Sequence, residues 1–212
     1  MKLANRRSVC QDSGMARTKQ QQREETMEAL TATARRLFAE HGYGNVGLET
    51  IAQSAGVSKG ALYHHFSSKA DLFRYVLSTV QHDVGEQVAR AADSAPDSWA
   101  GLLAGCRAFL AAATDPEIQQ IMLLDGPSVL GWEDWRELDD ESSARHLAEA
   151  LTGLMTDGLL ATRPVEPLVR LLSGAMNEAA VWLAHSPDPK SDLAATMDTL
   201  TPMIESLRQP TS

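Results

Sequence analysis

From Arg23 onward, apolar residues recur at intervals of three and four. Met27, Leu30, Ala34, Leu37 and Phe38 make one stripe, the pattern of an amphipathic helix. HGYGN, 41–45, ends it, because Gly42 accepts the left-handed conformation that closes helices. Leu48, Ile51, Ala52 and Ala55 predict a second, short helix. In the turn AGVS, 55–58, Gly56 is expected to take positive φ and Ser58 to cap a third helix. Leu62 and Phe66, four apart, form the inward face of that third helix. Ser67 or Ser68 then caps a longer helix that runs to about Ala92, where SAPDS, 94–98, breaks it. Further helices are expected over Trp99–Ala113, briefly after Asp115-Pro116, over Trp132–Leu160, Val165–His185 and Leu193–Leu207. In LLDGPSVLGWEDW, 123–135, Gly126, Pro127 and Gly131 are expected to interrupt helicity, as a pocket wall, a hinge or a tight connection. There is no alternating strand run and no repeat. The fold class is all-α: a polar arm over 1–22, a three-helix domain over 23–67 with a helix-turn-helix at its end, and a larger helical domain over 68–212.

Composition fits this picture. The 212 residues are 43% hydrophobic and only 5% aromatic, with abundant alanine, which suits helices better than strands. Of the two cysteines, Cys10 falls in the arm and Cys106 in an apolar run, so no disulfide framework is expected and a reducing cytoplasm fits. The opening MKLANRRSVCQDSG has basic residues with no apolar stretch behind them, unlike a signal peptide, and Met15 offers an alternative start. No apolar run has the length of a bilayer span, so no membrane partner is expected. Net charge is −9, but unevenly spread. Residues 1–70 carry ten Lys and Arg against six Asp and Glu, a net of +4, and the remainder carries nine against 22, a net of −13. A basic reader joined to an acidic body fits that asymmetry.

The third helix concentrates the chemistry. KGALYHHFSSK, 59–69, gathers two lysines, two adjacent histidines and two aromatics around a glycine. The histidines could be metal or catalytic groups, or the segment could lie on DNA. Adjacent helical positions point about 100° apart, and no cysteine or carboxylate stands beside them at ligand spacing, which argues against a shared ion. The second helix of a helix-turn-helix enters the major groove with its N-terminal residues nearest the bases. Lys59 in the first turn can reach a base acceptor or a phosphate, and Gly60 and Ala61 are small enough to let the backbone approach. Tyr63, His64 and His65 can donate to phosphates at the groove wall, and Lys69 opens the next helix, where its charge and the free N–H groups favour phosphate.

Residues 42–73, GYGNVGLETIAQSAGVSKGALYHHFSSKADLF, resemble the DNA-binding domain of TetR-family transcription regulators: an Ile-Ala helix, an Ala-Gly-Val turn and a Ser-Lys-Gly-x-Leu-Tyr-x-His-Phe recognition helix. The resemblance covers about 23–75 closely and the rest in length and helical layout. It implies base-facing roles for Lys59 and Gly60, and phosphate- or groove-edge roles for Tyr63, His64, His65 and Lys69. Where the family usually begins its second helix with a Ser or Thr that touches phosphate, this chain has Gly47, and Glu49 follows in the same helix; both lower the binding expected from that helix.

The resemblance further implies a ligand-responsive repressor that binds a palindromic double-stranded DNA operator as a homodimer. Its larger domain would bind a small apolar or amphipathic ligand and dimerise through the last two long helices, without a cofactor. Leu168, Leu171, Leu172 and Ala175 on the first and Met197, Leu200 and Ile204 on the second are the candidate dimer residues. Trp99, Phe109, Met122, Asp125, Trp132, Trp135, Met155 and Asn177 are the candidate pocket residues, being large, adaptable or polar within apolar stretches. No nucleophile motif, paired-carboxylate signature or phosphate-binding glycine loop points to an enzyme. A DNA-binding protein without a ligand, and redox sensing through Cys106, are the remaining alternatives.

Overall fold

The computed structural model describes residues 18–209, and no strand occurs among them; one isolated antiparallel bridge joins Leu160 and Arg208. The first helix, α1, spans Lys19–His41. It starts earlier than apolar periodicity indicates, inside the expected arm, because a capping box sets its end. Thr18 Oγ1 accepts from Gln21 N at 3.2 Å, and Gln21 Oε1 accepts from Thr18 N at 2.9 Å. The rest of the expected arm, including Cys10 and Met15, lies outside the described residues. At the other end Gly42, with φ +73°, turns the chain, its N–H bonding the Phe38 carbonyl.

Helices α2 (Leu48–Ser54) and α3 (Lys59–His65) follow, then α4 over Lys69–Asp93. Ser68 is the α4 cap, accepting from Asp71 N at 3.0 Å, while the Asp71 carboxylate accepts from Ser67 N at 2.8 Å. Leu30, Ala34 and Phe38 of α1, Ile51 of α2, Leu62 of α3 and Leu72, Phe73 and Val76 of α4 are all fully buried, so the three short-range elements close on the start of α4. The Phe38 and Phe73 rings meet edge to face with centroids 5.3 Å apart, and Tyr43 meets Phe73 in the same manner at 5.0 Å.

The body comprises α5 (Ser98–Ala112), the short α6 (Pro116–Ile118), α7 (Gly126–Leu130), α8 (Trp132–Asp140), α9 (Ser143–Thr156), α10 (Val165–Ala184) and α11 (Pro189–Glu205), packed around the second half of α4. Two expectations are corrected here. The chain does not leave helical geometry at Gly126-Pro127: α6 widens into π-helical turns over Gln119–Asp125 and continues into α7, whose first turn tolerates Pro127. The break comes at Gly131, φ +83°. Nor is 132–160 one helix. It splits at Ser142, whose Oγ donates to the Gln81 carbonyl of α4 at 2.5 Å, a tertiary bond that fixes the kink.

Two glycines test this packing. A Cβ on Gly126 would stand 2.7 Å from Trp135 Cδ1 and 3.2 Å from the Ile121 carbonyl oxygen. The Trp135 ring cannot yield freely, because its Nε1 donates to the Met122 carbonyl at 2.8 Å. Overpacking of this kind costs about 1–3 kcal/mol, more than the roughly 1 kcal/mol that Ala adds over Gly in helix propensity. Gly153, exposed on α9, meets nothing within 4 Å. Gly126→Ala is therefore expected to lower the urea midpoint and Gly153→Ala to raise it.

Candidate nucleic-acid interface and ligand cavity

The α2–α3 corner, the candidate reader, is short and well anchored. Gly56, φ +69°, makes the turn, the Val57 N–H reaches back to the Ala52 carbonyl at 3.0 Å, and Ser58 Oγ caps α3 by accepting from Ala61 N at 3.1 Å. α2 has no such side-chain cap, since Gly47 holds the position. With Leu62 and Phe66 buried, α3 turns Lys59, Gly60, Tyr63 and His64 outward, while Ala61 and His65 are half-buried at its edges. The Lys59 ammonium pairs with the Glu49 carboxylate across the corner, which raises the Lys59 pKa and lowers that of Glu49. Lys69 is half-buried, its Nζ 4.0 Å from the Tyr43 ring centroid, and burial pulls its pKa down against the opposing pull of Asp125. Burial likewise lowers the pKa of His65, with Arg23 and His64 adding to the effect. Among the described residues no group of three or more His, Cys, Asp or Glu side chains is placed to hold a metal ion.

A polar seam ties this reader to the body. Asp125 accepts from Tyr43 N at 2.7 Å, directly after the Gly42 turn. The Arg35 guanidinium of α1 contacts Asp83 of α4 at 2.5 Å and Glu117 of α6 at 2.7 Å.

In the body, a cavity of about 240 Å³ lies between α4, α5, α8, α9 and α10. Val88, Phe109, Leu147 and Met176 supply apolar wall, and Asp139 and Ser173 a polar one. Of the expected pocket residues only Phe109 lines it. Asp125 belongs to the seam. Trp99 and Trp135 are buried with their indole N–H groups bonded to Glu205 and to the Met122 carbonyl. Trp132 is 62% exposed, Met122 is in the core, and Met155 is half-buried outside the lining. Asn177 stands one layer behind the wall, donating to Asp139 at 3.3 Å. Asp139 itself escaped the sequence reading; the available signal was Ser173 and Asn177, four apart on an otherwise apolar helix. Cys106 also faces the cavity, and burial pushes its thiol up to about 12, which removes the thiolate that redox sensing needs.

The expected dimer residues divide between two faces. Leu168, Met197, Leu200 and Ile204 are buried within the chain's own core, and Leu172 is half-buried. Leu171, 72% exposed, and Ala175 face outward on α10, beside Trp182 and the 56% exposed Met203 of α11.

Residues 30–76 match the family described as bacterial regulatory proteins, tetR family, and residues 99–207 match the tetracyclin repressor-like C-terminal domain. The HTH-type transcriptional repressor AcnR of Corynebacterium diphtheriae is 30% identical over 82% of this chain and 88% of its own. The HTH-type transcriptional regulator AcrR of Shigella flexneri is 39% identical over a shorter stretch, 34% of each chain. The crystal structure of a TetR-family transcriptional regulator from Pectobacterium atrosepticum superposes with a TM-score of 0.76 at 33% identity, covering 92% of this chain and all of that one. No helix among the described residues is long and apolar enough to cross a membrane.

The Glu49–Lys59 pair generates a prediction of its own. Glu49 both occupies Lys59 and adds a negative charge to the face of the reader. Glu49→Gln is expected to raise affinity for duplex DNA severalfold at low salt, the gain shrinking as salt screens the exposed charges. Fluorescence anisotropy across a salt series measures it, and an unchanged or weaker affinity would mean that Glu49 does not compete for Lys59.

Proposed function

The chain belongs to the TetR family of DNA-binding transcriptional regulators, and from that premise we propose that it is a cytoplasmic, ligand-responsive repressor that binds a palindromic operator as a homodimer. The observation that carries the proposal is α3: anchored through Leu62 and Phe66, it turns Lys59, Gly60, Tyr63 and His64 away from the core, with Lys69 one turn beyond. Lys59, Gly60 and Ala61 face base edges in this reading. Tyr63, His64, His65 and Lys69 face phosphates.

The outer face of α10 and α11 is the dimer surface in the proposal. Leu171, Trp182 and Met203 are large apolar groups left exposed there, and a second copy would bury them. A dimer can insert two α3 helices into successive major grooves only when they stand about 34–36 Å apart or a multiple of it. A small apolar or amphipathic ligand in the body cavity acts by linkage: if it binds better to a dimer with another spacing, DNA affinity falls by that difference in affinity. Helix α4 is the lever, since Val88 lines the cavity and its first residue, Lys69, lies beside α3.

Selection of bound fragments from genomic DNA tests the reading, with Lys59→Ala/Tyr63→Ala as the control. A palindromic site enriched by the wild type and lost in the variant is expected; no enrichment at low salt would refute the reader role. On the selected site, Lys59→Ala should weaken binding and relax base preference. Lys69→Ala should weaken all sequences alike and flatten the salt slope by about one. The dimer surface has its own test. Leu171→Asp/Met203→Asp changes only exposed side chains, so helicity by circular dichroism should persist while sedimentation shifts to monomer and operator affinity collapses. A double variant that remains dimeric would place the interface elsewhere.

A further inference from the structure

The cavity in the body has a charge pattern that restricts what it can hold. Three carboxylates line it, with no Lys or Arg among the lining residues. Asp93 and Glu149 are exposed at the rim and Asp139, 2% exposed, lies deep. His146 is the one basic side chain in the lining, its Nδ1 3.5 Å from Glu149. Asp139 is poorly satisfied where it lies. Ser173 Oγ and Asn177 Nδ2 donate to it only at 3.3 Å each, and Arg136, which stands outside the lining, comes no nearer than 3.6 Å. Behind it, Asn177 Oδ1 is buried without a hydrogen-bond partner. Turning that amide over would set its oxygen against the Asp139 carboxylate, so the pair presents acceptors in either case.

We propose that this cavity takes an amphipathic cation, an aryl- or alkylammonium compound whose apolar body lies against Phe109, Leu147 and Met176 and whose N–H groups donate to the Asp139 carboxylate. The inference rests on the reading of the cavity as a ligand site and names the ligand class. An ammonium offers three donors and no acceptor, which matches a site with spare acceptors and a buried negative charge. A neutral ligand of the same shape fills the apolar part and can donate at most one hydroxyl to Asp139, leaving the charge unpaired. An anionic one meets three like charges, two of them at the entrance. Burial holds the Asp139 carboxyl above the usual carboxylate range despite Arg136, and a bound cation works against that bias. Electrostatic attraction at the Asp93 and Glu149 rim acts on the same charge before it enters.

Calorimetric titration of the full chain with three probes of one shape separates these cases: 4-phenylbutylamine, 4-phenylbutanol and 4-phenylbutyrate. The amine is expected to bind about tenfold or more tighter than the alcohol, the scale of a charge-assisted hydrogen bond, and the carboxylate weakest. Asp139→Asn, nearly isosteric, should bring the amine down to about the affinity of the alcohol, with a much smaller change for the alcohol. Glu149→Gln, at an exposed position that folding does not depend on, should cost the amine severalfold and the alcohol nothing. An alcohol or carboxylate that binds as well as the amine, or an amine preference that survives Asp139→Asn, overturns the charge selection and leaves the cavity a ligand site. If none of the three binds at millimolar concentration, the ligand reading of the cavity falls with it. Operator binding measured on the same sample then shows whether the DNA-binding reading stands alone.

Discussion

One face of helix α4 is buried along nearly its whole length, and its two ends are buried against different things. Leu72, Phe73, Val76 and Leu77 complete the core that α1, α2 and α3 close around, while Val84 and Val88 belong to the body and Val88 reaches the cavity. Both ends belong to one continuous apolar core. Twenty-five residues of helix span about 37 Å, with neither proline nor a π turn within it; Gly85, where Ser142 lies against the helix, is its one glycine. Interiors packed at crystal density do not absorb a displacement gradually. On the proposed reading, a push at Val88 is carried to Lys69 as a tilt or shift of the helix, and that motion reaches the face of α3.

The seam that runs beside α4 is polar, and its energetics differ from those of the helix. Arg35, Asp83 and Glu117 are all partly exposed, so each ion pair contributes little to stability. Their effect is directional. One guanidinium on α1 holds both α4 and α6, so the angle between the reader and the body depends on how those two helices lie relative to each other. The Tyr43–Asp125 bond adds a second point of contact at the end of the π-helical turns. Weak, oriented bonds allow a second arrangement at small cost, which a switch requires.

The reader half was legible because its signals are local. Gly56 and Ser58 define the turn and the cap within four residues, and Leu62 and Phe66 show which face is inward. The body was legible as helices but not as surfaces. Leu168 and Leu171 are three apart on one helix, both leucine, and only the placement of neighbouring helices buries the first and exposes the second. The kink at Ser142 was invisible for a similar reason, since the Gln81 carbonyl that fixes it lies 61 positions away. The pocket was misread through size. Large side chains such as Trp99, Trp135 and Met122 fill space and find partners for their polar atoms, whereas a cavity persists where residues are too small to fill it. Ala89, Ala92, Ala144 and Ala150 line this one, and small residues on alanine-rich helices give no signal of their own.

Charge joins the two halves in a way that neither shows alone. The body's net of −13 repels DNA, so affinity must come from a reader whose net is only +4. Within that reader Glu49 occupies Lys59, Lys69 is half-buried against Tyr43, and Gly47 supplies no hydroxyl to a phosphate. Each feature moderates binding on the proposed reading. Moderation has a use in a switch. Coupling between a ligand site and a second site amounts to about 1–3 kcal/mol in most proteins, or 5- to 150-fold in affinity. A reader that gripped its operator with every cation free would stay bound across such a change. One whose strongest groups are already partly satisfied within the chain sits nearer the point where that coupling separates bound from released. On the proposed reading, those restraints and the acidic cavity are parts of one balance, in which a cation entering the body has only a moderate hold on DNA to undo.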